Sequence, residues 1–172
     1  TCVVKVARPK YKLTYMVDGE EYKSYEVEWT SSITPEAAPT KEGYDFSGWS
    51  QVPATMPEHD VTITGSFIVK KYKLLYKVDG EEYNTYEVEY GADITAEAEP
   101  KKEGFNFSGW SEVPETMPAH DVTITGSFTR AKYELAYIVD GSEYQSDEHE
   151  AGESISLVTA PEKEGQMFVG YS

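Results

Sequence analysis

The feature of this chain that most constrains its fold is an internal repeat with a period of 61 residues. Residues 11–67 and 72–128 align without a gap and are identical at 41 of 57 positions. The opening Tyr-Lys-Leu at Tyr11 recurs at Tyr72 and, as Tyr-Glu-Leu, at Tyr133. A period of this length is typical of small, similar units joined in a row, rather than of one large core.

The period divides the chain into four segments. Residues 11–71 and 72–132 are predicted to be complete repeats, and residues 133–172 a third repeat that is truncated and divergent. Residues 1–10 stand in phase with the end of a repeat and are predicted to be the closing strand of a preceding repeat. Because the chain opens at Thr1 rather than at Met, we expect it to be a fragment of a longer protein.

Alternating apolar and polar residues predict β-strands throughout each repeat. In the first segment Tyr11, Leu13 and Tyr15 share one face of an extended chain, and Tyr25 and Val27 do the same in the next segment. Nine prolines and 13 glycines interrupt the longer stretches, which leaves little room for helix. We therefore expect a mainly β fold, α+β at most, built from tandem small repeats of about four strands each.

The pairing of the first two strands depends on the length of the loop between them. A two-residue turn at Asp18-Gly19 would bring Leu13 opposite a polar residue, whereas an odd-length loop aligns the apolar residues of both strands on one face. We therefore predict an odd-length loop, with Gly19 in the left-handed region as part of a bulge. Trp49 and Trp110, which occupy matched positions in the two repeats, are predicted to be core residues.

The charge of the chain excludes two classes of partner. Fifteen Lys and Arg oppose 31 Asp and Glu, so the net charge is −16. A nucleic-acid partner is not expected, because phosphate binding needs a basic stripe. Direct membrane insertion is not expected either, since no apolar run approaches the ~18 residues of a spanning helix. Cys2 is the only cysteine, so neither an internal disulfide nor a cysteine-based zinc site can form within the chain.

The sequence contains no recognisable catalytic motif. Its histidines are His59, His120 and His149, and neither a Gly-x-Ser-x-Gly elbow nor a His-Glu-x-x-His helix occurs. We therefore predict that the chain is not an enzyme and has no catalytic residue, cofactor or metal site. The pairs His59-Asp60 and His120-Asp121 recur in register, but adjacent strand residues point to opposite faces, so a structural capping role is predicted for them.

An acidic cluster marks the tip of the first hairpin. Asp18, Glu20 and Glu21 fall within four residues, and the second repeat has the same residues at its tip. Calcium normally takes six or more oxygen ligands, and the residue spacing of a calcium-binding loop is absent. A solvated acidic tip is therefore predicted, with a calcium-stabilised repeat as the alternative.

One tyrosine recurs in all three copies, at Tyr22, Tyr83 and Tyr144. Strict alternation places these residues on the face opposite the apolar set. A regularly spaced row of tyrosines would suit stacking against a sugar or a partner protein. The alternative is cross-strand packing against Met16 and Lys12.

Several segments together resemble a known family of bacterial repeats. They are the opening strand with Val-Asp-Gly (11–19), the Pro-Thr-Lys-Glu-Gly-Tyr run (39–44), Phe-Ser-Gly-Trp (46–49) and the closing Val-Thr-Ile-Thr-Gly-Ser-Phe (61–67). The chain resembles the Listeria–Bacteroides repeat family, the group that includes the B repeats of internalin B. The resemblance implies a β-grasp-like domain, strung in tandem on secreted or surface-anchored bacterial proteins, and it implies no catalytic residues.

From these observations we expect a non-enzymatic tandem-repeat segment of an extracellular or cell-surface bacterial protein. It would act as a semi-rigid spacer or stalk and contribute to adhesion. The alternative is a ligand-binding module that recognises a glycan, or a host or envelope protein, through Tyr22, Tyr83 and Tyr144. We also expect the third repeat either to pack against the second repeat or to self-associate by completing its sheet with residues 1–10 of another molecule. The third copy departs from the pattern in its second strand, where Tyr86, Val88 and Tyr90 become Asp147, His149 and Ala151.

Overall fold

The first two strands of each repeat form an antiparallel hairpin around a tight turn. A computed structural model describes residues 6–171, and these residues contain strands and turns but no helix, so none of them forms an apolar helix long enough to cross a membrane. The strands are β1 (Lys10–Val17), β2 (Glu20–Glu28), β3 (Tyr44–Phe46), β4 (Val61–Gly65), β5 (Phe67–Val69), β6 (Lys71–Val78), β7 (Glu81–Glu89), β8 (Phe105–Phe107), β9 (Val122–Gly126), β10 (Phe128–Arg130), β11 (Lys132–Val139) and β12 (Ser142–Glu150).

Each complete repeat contains two small sheets. In the first repeat β1 lies in the centre of a three-stranded sheet, antiparallel to β2 and parallel to β4, while β3 pairs antiparallel with β5. The second repeat has the same topology, with the orders β7-β6-β9 and β10-β8. The mainly β prediction is confirmed, but a complete repeat has five strands instead of about four. The closing segment divides at Ser66, so that β4 and β5 join different sheets. The β-grasp likeness stays a prediction.

The first hairpin has the predicted alignment of apolar residues, but a bulge within the strand produces it instead of an odd-length loop. Leu13 lies opposite Tyr25, so the apolar residues of both strands share one face as predicted. The loop, however, has only two residues, Asp18 (φ 52°) and Gly19 (φ 86°), which is the left-handed pair of a tight hairpin turn. A β-bulge at Tyr22 shifts the register by one residue, so that Tyr25 and Val27 lie on the same face as Leu13 and Tyr11. The predicted odd-length loop is therefore wrong, although Gly19 is left-handed.

Each complete repeat has its own core. In the first repeat Leu13, Tyr15, Met56 and Ile63 are at most 4% exposed, and Trp49 packs against them. The equivalent residues build the core of the second repeat, with Trp110 in the place of Trp49. Among the described residues, every pair of strands in extensive contact lies within one repeat. Both tryptophans are core-packing residues as predicted, with half-buried rings.

The third repeat keeps only its opening hairpin among the described residues. β11 and β12 pair in the same register as the earlier hairpins, with Leu135 opposite Asp147. Residues 151–171 form no strand and contribute a single bridge between Lys163 and Gln166. Of the predicted closing strand at residues 1–10, the first five lie outside the described residues, residues 6–9 form no strand, and Lys10 begins β1.

Candidate functional site: the junctions between repeats

The first and second repeats are joined by a single residue. Lys70 alone lies between β5 and β6, whereas the matched segments, which end at Phe67 and resume at Tyr72, predict a connector of the four residues 68–71. Its N–H donates to the carbonyl of Gly43 in the first repeat, at 2.8 Å, and its carbonyl accepts from the N–H of Tyr90 in the second repeat, at 2.9 Å. The connector is therefore hydrogen-bonded to both repeats, which leaves it little freedom to rotate.

Side chains reinforce this backbone bridge. The ring of Tyr90 lies directly against Gly43, where a Cβ atom would overlap it. Gly43 is buried and has a φ of 76°, so both its backbone angle and its missing side chain suit the position. Tyr90 also meets Tyr44 edge to face, with ring centroids 6.0 Å apart. An aromatic ring of the second repeat is thus seated on the first.

Two ionic contacts flank the same junction. The ammonium group of Lys70 lies 3.0 Å from Oδ1 of Asp45, and the pKa of Lys70 is raised by this hydrogen bond and by the negative charge of Asp45. Both side chains are exposed, so the pair contributes little to stability. The ammonium group of Lys41 lies 4.1 Å from the centroid of the Tyr44 ring, a cation–π contact.

The junction between the second and third repeats keeps the backbone bridge and the cation–π contact, with Lys102 4.2 Å from the centroid of Phe105, but it lacks the covering ring and the ion pair. Ala131 donates to Gly104 and accepts from Ala151, both at 2.8 Å. The nearest atom to a Cβ built on Gly104 would be the Ala151 Cβ, at 3.0 Å, so no ring covers this glycine. Tyr90, Lys70 and Asp45 of the first junction correspond to Ala151, Ala131 and Asn106 of the second.

Sequence reasoning missed the junction residues. Gly43 was part of a recognised run, yet nothing in the run itself indicates that a ring from the next repeat covers it. One signal was available. Tyr90 lies 47 residues after Gly43, and its position is aromatic in the first two copies, as Trp29 and Tyr90, but is Ala151 in the third.

The three candidate tyrosines lie at bulge positions, which turns them away from the face predicted for them. Tyr22 packs against Trp49 with ring centroids 6.0 Å apart, and Tyr83 packs against Trp110 at 5.8 Å. The packing of Tyr22 against Met16 and Lys12 stays a prediction. Tyr22, Tyr83 and Tyr144 remain 41%, 43% and 50% exposed, but among the described residues no member of the set contacts another. Their role in partner binding stays a prediction.

A glutamate fixes the loop that follows each complete hairpin. The Glu36 carbonyl accepts a 2.8 Å hydrogen bond from Trp49 Nε1, while its carboxylate accepts from Lys23 and from the Tyr25 hydroxyl. The hydrogen bond from Lys23, and then that from Tyr25, holds the pKa of Glu36 below its ordinary value; the same carboxylate raises the pKa of Tyr25 and of Lys23. Glu97 binds Trp110 and Tyr86 in the same way.

Two of the aspartates singled out in the sequence accept backbone hydrogen bonds, whereas Glu21 of the acidic tip accepts from the side chains of Lys12 and Ser24. Oδ1 of Asp18 accepts from the Phe67 N–H at 3.0 Å, where the chain passes from β4 to β5. Oδ1 of Asp60 accepts from the Lys12 N–H at 2.8 Å, and His59 Nδ1 lies 2.8 Å from the Asp60 carbonyl, which confirms the capping role. Within residues 6–171 no group of three or more His, Cys, Asp or Glu side chains is arranged to hold a metal ion.

Comparison with known proteins places these repeats in a family. The sequence model of the Listeria-Bacteroides repeat domain matches residues 11–68 and 72–129. A protein named "Putative Gly-rich membrane protein" from Evansella cellulosilytica is 29% identical over 173 residues, covering 89% of this chain and 20% of that protein. Internalin H of Listeria monocytogenes serovar 1/2a is 29% identical over 140 residues, covering 70% of this chain and 25% of its own length. The chain thus spans about a quarter or less of the length of these curated relatives.

A solved structure is also similar in part. It comprises domains 3–4 of the Streptococcal High Identity Repeats in Tandem from a cell surface protein, with 18% identity and a TM-score of 0.31, covering 72% of this chain and 99% of that one. The family assignment rests on the sequence, since the two matched segments together exceed half of the chain. The chain belongs to the Listeria–Bacteroides repeat family.

Proposed function

We propose that this chain is a non-enzymatic stalk segment that holds another module of its parent protein at a distance. The observation that carries the proposal is the junction at Lys70, where a one-residue connector is hydrogen-bonded to both repeats and Tyr90 seats on Gly43. A spacer has to resist bending between its units, and a bridged, ring-packed junction does so. Separate cores joined in this way also keep the repeats in line and prevent them from merging into one globule.

We further propose that the parent protein is bacterial and is exposed at the cell surface or secreted. The support is indirect: one relative is named a membrane protein, another is an internalin, and both come from bacteria. Antibody labelling of intact, unpermeabilised cells tests this proposal. Labelling equal to that of permeabilised cells is expected, and labelling only after permeabilisation would contradict it.

Binding of a glycan or a host protein through the tyrosines is the competing function. Contact among the tyrosine rings would favour this function, because binding surfaces usually contain a contiguous apolar patch. Tyr22 and Tyr83 instead pack on the tryptophans of their own repeats, Trp49 and Trp110. The arrangement favours the stalk, and adhesion would be an additional property of it.

The stalk function is tested by placing the chain between two fluorescent proteins. The matched control is a Gly/Ser linker of the same number of residues, which behaves as a flexible coil. Single-molecule energy transfer is expected to show a longer mean separation and a narrower distribution for the repeats. A distribution as broad as that of the Gly/Ser linker would contradict the proposal. Calcium added to the same sample is expected to leave both the distribution and the melting temperature unchanged.

A further inference from the structure

The second repeat contains an apolar pocket beside its hairpin. The pocket has a volume of about 290 Å³ and is lined by apolar side chains of β6, β7 and the loop that follows them, namely Leu74, Tyr76, Tyr86, Val88 and Ile94. The first repeat has an equivalent pocket of about 250 Å³, with the same five residue types at the corresponding positions. A recess that recurs at the same place in both complete repeats is a regular feature of their fold.

A buried hydroxyl group lines the second pocket without a partner. Tyr76 is 1% exposed, and among the described residues its hydroxyl makes no hydrogen bond. Burial raises the pKa of Tyr76, and the backbone N–H of Glu97 lowers it without completing a hydrogen bond, which places the hydroxyl beside Glu97. Buried polar groups are nearly always hydrogen-bonded, so this pocket favours an occupant with a polar group.

The two pockets differ in charge. Three carboxylates line the second pocket, those of Glu87, Asp93 and Glu97, whereas the described lining of the first contains only that of Glu36. Ser32 of the first pocket stands in the place of Asp93. Within the part of the chain that the structure describes, none of the three carboxylates forms an ion pair. The second pocket therefore attracts a cation.

The first repeat shows which cation suits the equivalent glutamate. The ammonium group of Lys23 lies 2.7 Å from Oε2 of Glu36, while Oε1 accepts from a tyrosine hydroxyl. In the second repeat Asn84 stands at the position of Lys23. Its amide and the hydroxyl of Tyr86 both donate to Oε1 of Glu97, which leaves Oε2 to another donor. The second repeat thus keeps the glutamate but lacks the lysine.

We propose that the pocket of the second repeat binds a lysine side chain of another protein. The methylene stem of lysine suits the apolar lining, because long charged side chains cover apolar surface with their stems. A lysine ammonium group has three donors, and Glu97 Oε2, the Tyr76 oxygen and the Asp93 carboxylate offer an acceptor for each. The bound lysine would neutralise charge as Lys23 does in the first repeat.

The partner is expected to be basic on the surface that meets this pocket. The net charge of this chain is −16, so two copies repel each other, whereas a basic surface is attracted. The site is additional to the stalk function and does not depend on it.

The test is an NMR titration of the isotope-labelled full chain with two blocked tripeptides. One is acetyl-Gly-Lys-Gly-amide, and the other carries norleucine, which has a similar stem without the ammonium group. The lysine peptide should shift the amide signals of Val88, Ile94 and Glu97 in a saturable manner and leave the first repeat nearly unchanged. It should bind at least about fivefold more tightly than the norleucine peptide, the upper range for a partly exposed charge pair.

Exchange of residues between the repeats provides matched variants. Asn84→Lys/Asp93→Ser gives the second pocket the residues of the first, so it should remove the shifts caused by the lysine peptide. Lys23→Asn/Ser32→Asp gives the first pocket the residues of the second and should bring its affinity to within a few-fold of the second pocket. Each substitution introduces a residue that the other repeat already carries, and amide signals outside the pocket report that the fold is kept.

Three results would overturn the proposal. Equal binding of the two peptides would show an apolar recess that does not select a cation. Absence of saturable shifts in the second repeat would remove the site, and so would shifts that persist in Asn84→Lys/Asp93→Ser. Shifts of the same amides when the chain alone is concentrated would show that the lysine comes from a second copy, which would overturn the choice of partner.

Discussion

The ring of Tyr90 in the second repeat lies on the backbone of Gly43 in the first, at a point where any side chain on Gly43 would overlap it. The two residues are also linked through Lys70, whose N–H donates to the Gly43 carbonyl and whose carbonyl accepts from the Tyr90 N–H. A glycine in one unit and a ring in the next therefore behave as one packed site. This relationship is absent at the next junction, where Ala151 stands in the place of Tyr90.

The first prediction compares two glycine substitutions. Gly43→Ala and Gly104→Ala carry a similar backbone cost, because φ is 76° at one glycine and 74° at the other. Only Gly43→Ala also displaces a ring, so NMR shift changes should spread into the second repeat, while those of Gly104→Ala stay local. The double variant Gly43→Ala/Tyr90→Ala should remove the extra effect. Shift changes that spread equally from both glycines would contradict the role of Tyr90.

The second prediction concerns the half-buried tryptophan of the second core. Trp110 packs on Tyr76 at 5.0 Å and on Phe107 at 4.9 Å, and it donates to the Glu97 carbonyl. Trp110→Ala should lower the free energy of unfolding of the second repeat by about 3 kcal/mol, the low end for a large buried aromatic. Urea unfolding followed by amide signals of that repeat measures it. Trp29→Ala, at an exposed tryptophan, is the control and should change the free energy by no more than about 0.5 kcal/mol.

The third prediction isolates the carboxylate of the hairpin turn. Asp79 and Asp140 have φ angles of 53° and 51°, so alanine meets a similar backbone strain at either position. Asp79 accepts from the Phe128 N–H, whereas Asp140 pairs only with a surface lysine. Asp79→Ala should therefore cost about 1–2 kcal/mol more than Asp140→Ala, each measured on its own repeat. Equal costs would mean that the bond to Phe128 contributes nothing.

The fourth prediction is a pH dependence centred on Glu36. Hydrogen bonds from Lys23 and Tyr25 lower the pKa of Glu36 from 4.5, so the stability they confer is present above pH 4.5 and is lost as the pH falls through the folded-state value. Tyr25 has a pKa raised from 10.0, so its contribution is present below pH 10.0 and is lost as the pH rises through its folded-state value. The free energy of unfolding of the first repeat should therefore decrease both as the pH falls below 4.5 and as it rises above 10.0.

Glu36→Gln tests this origin, because it keeps the shape of the side chain and removes its titration. The melting temperature of the first repeat, followed by the indole N–H signal of Trp49, should then fall less steeply on the acid side. Glu58→Gln is the control, since Glu58 is exposed and its side chain makes no hydrogen bond or ion pair with any residue of 6–171. If the melting temperature falls as steeply at low pH in Glu36→Gln as in the unmodified chain, other carboxylates cause the acid sensitivity.

Local pattern was sufficient to predict the opening hairpin and the buried face of β1, whereas Tyr25 on the predicted apolar face of β2 is 42% exposed. Alternation placed Leu13 and Tyr15 inside, and the 61-residue period related Trp49 to Trp110. Alternation could not locate the bulge at Tyr22, because a bulge breaks the very period from which faces are inferred. The aromatic partner of Tyr22 was missed for that reason.

The junction was harder to predict than the core. Its contacts join residues that lie far apart in sequence and belong to different repeats, as Gly43 and Tyr90 do. Their meeting depends on the angle between two folded units, which no local pattern contains. The one-residue connector at Lys70 was overestimated as four, because β5 extends to Val69 and β6 begins at Lys71.

The central claim is that the first two repeats form one stiff unit, and electron spin-echo distances between equivalent sites test it most directly. Spin labels at Glu26→Cys and Glu87→Cys, in a Cys2→Ser background, span the first junction; Glu87→Cys and Glu148→Cys span the second. All three positions are exposed and lie on equivalent strands. We predict a single narrow distance distribution across the first junction, broadened by Tyr90→Ala, and a broader one across the second. A first-junction distribution as broad as the second, and unchanged by Tyr90→Ala, would contradict the account.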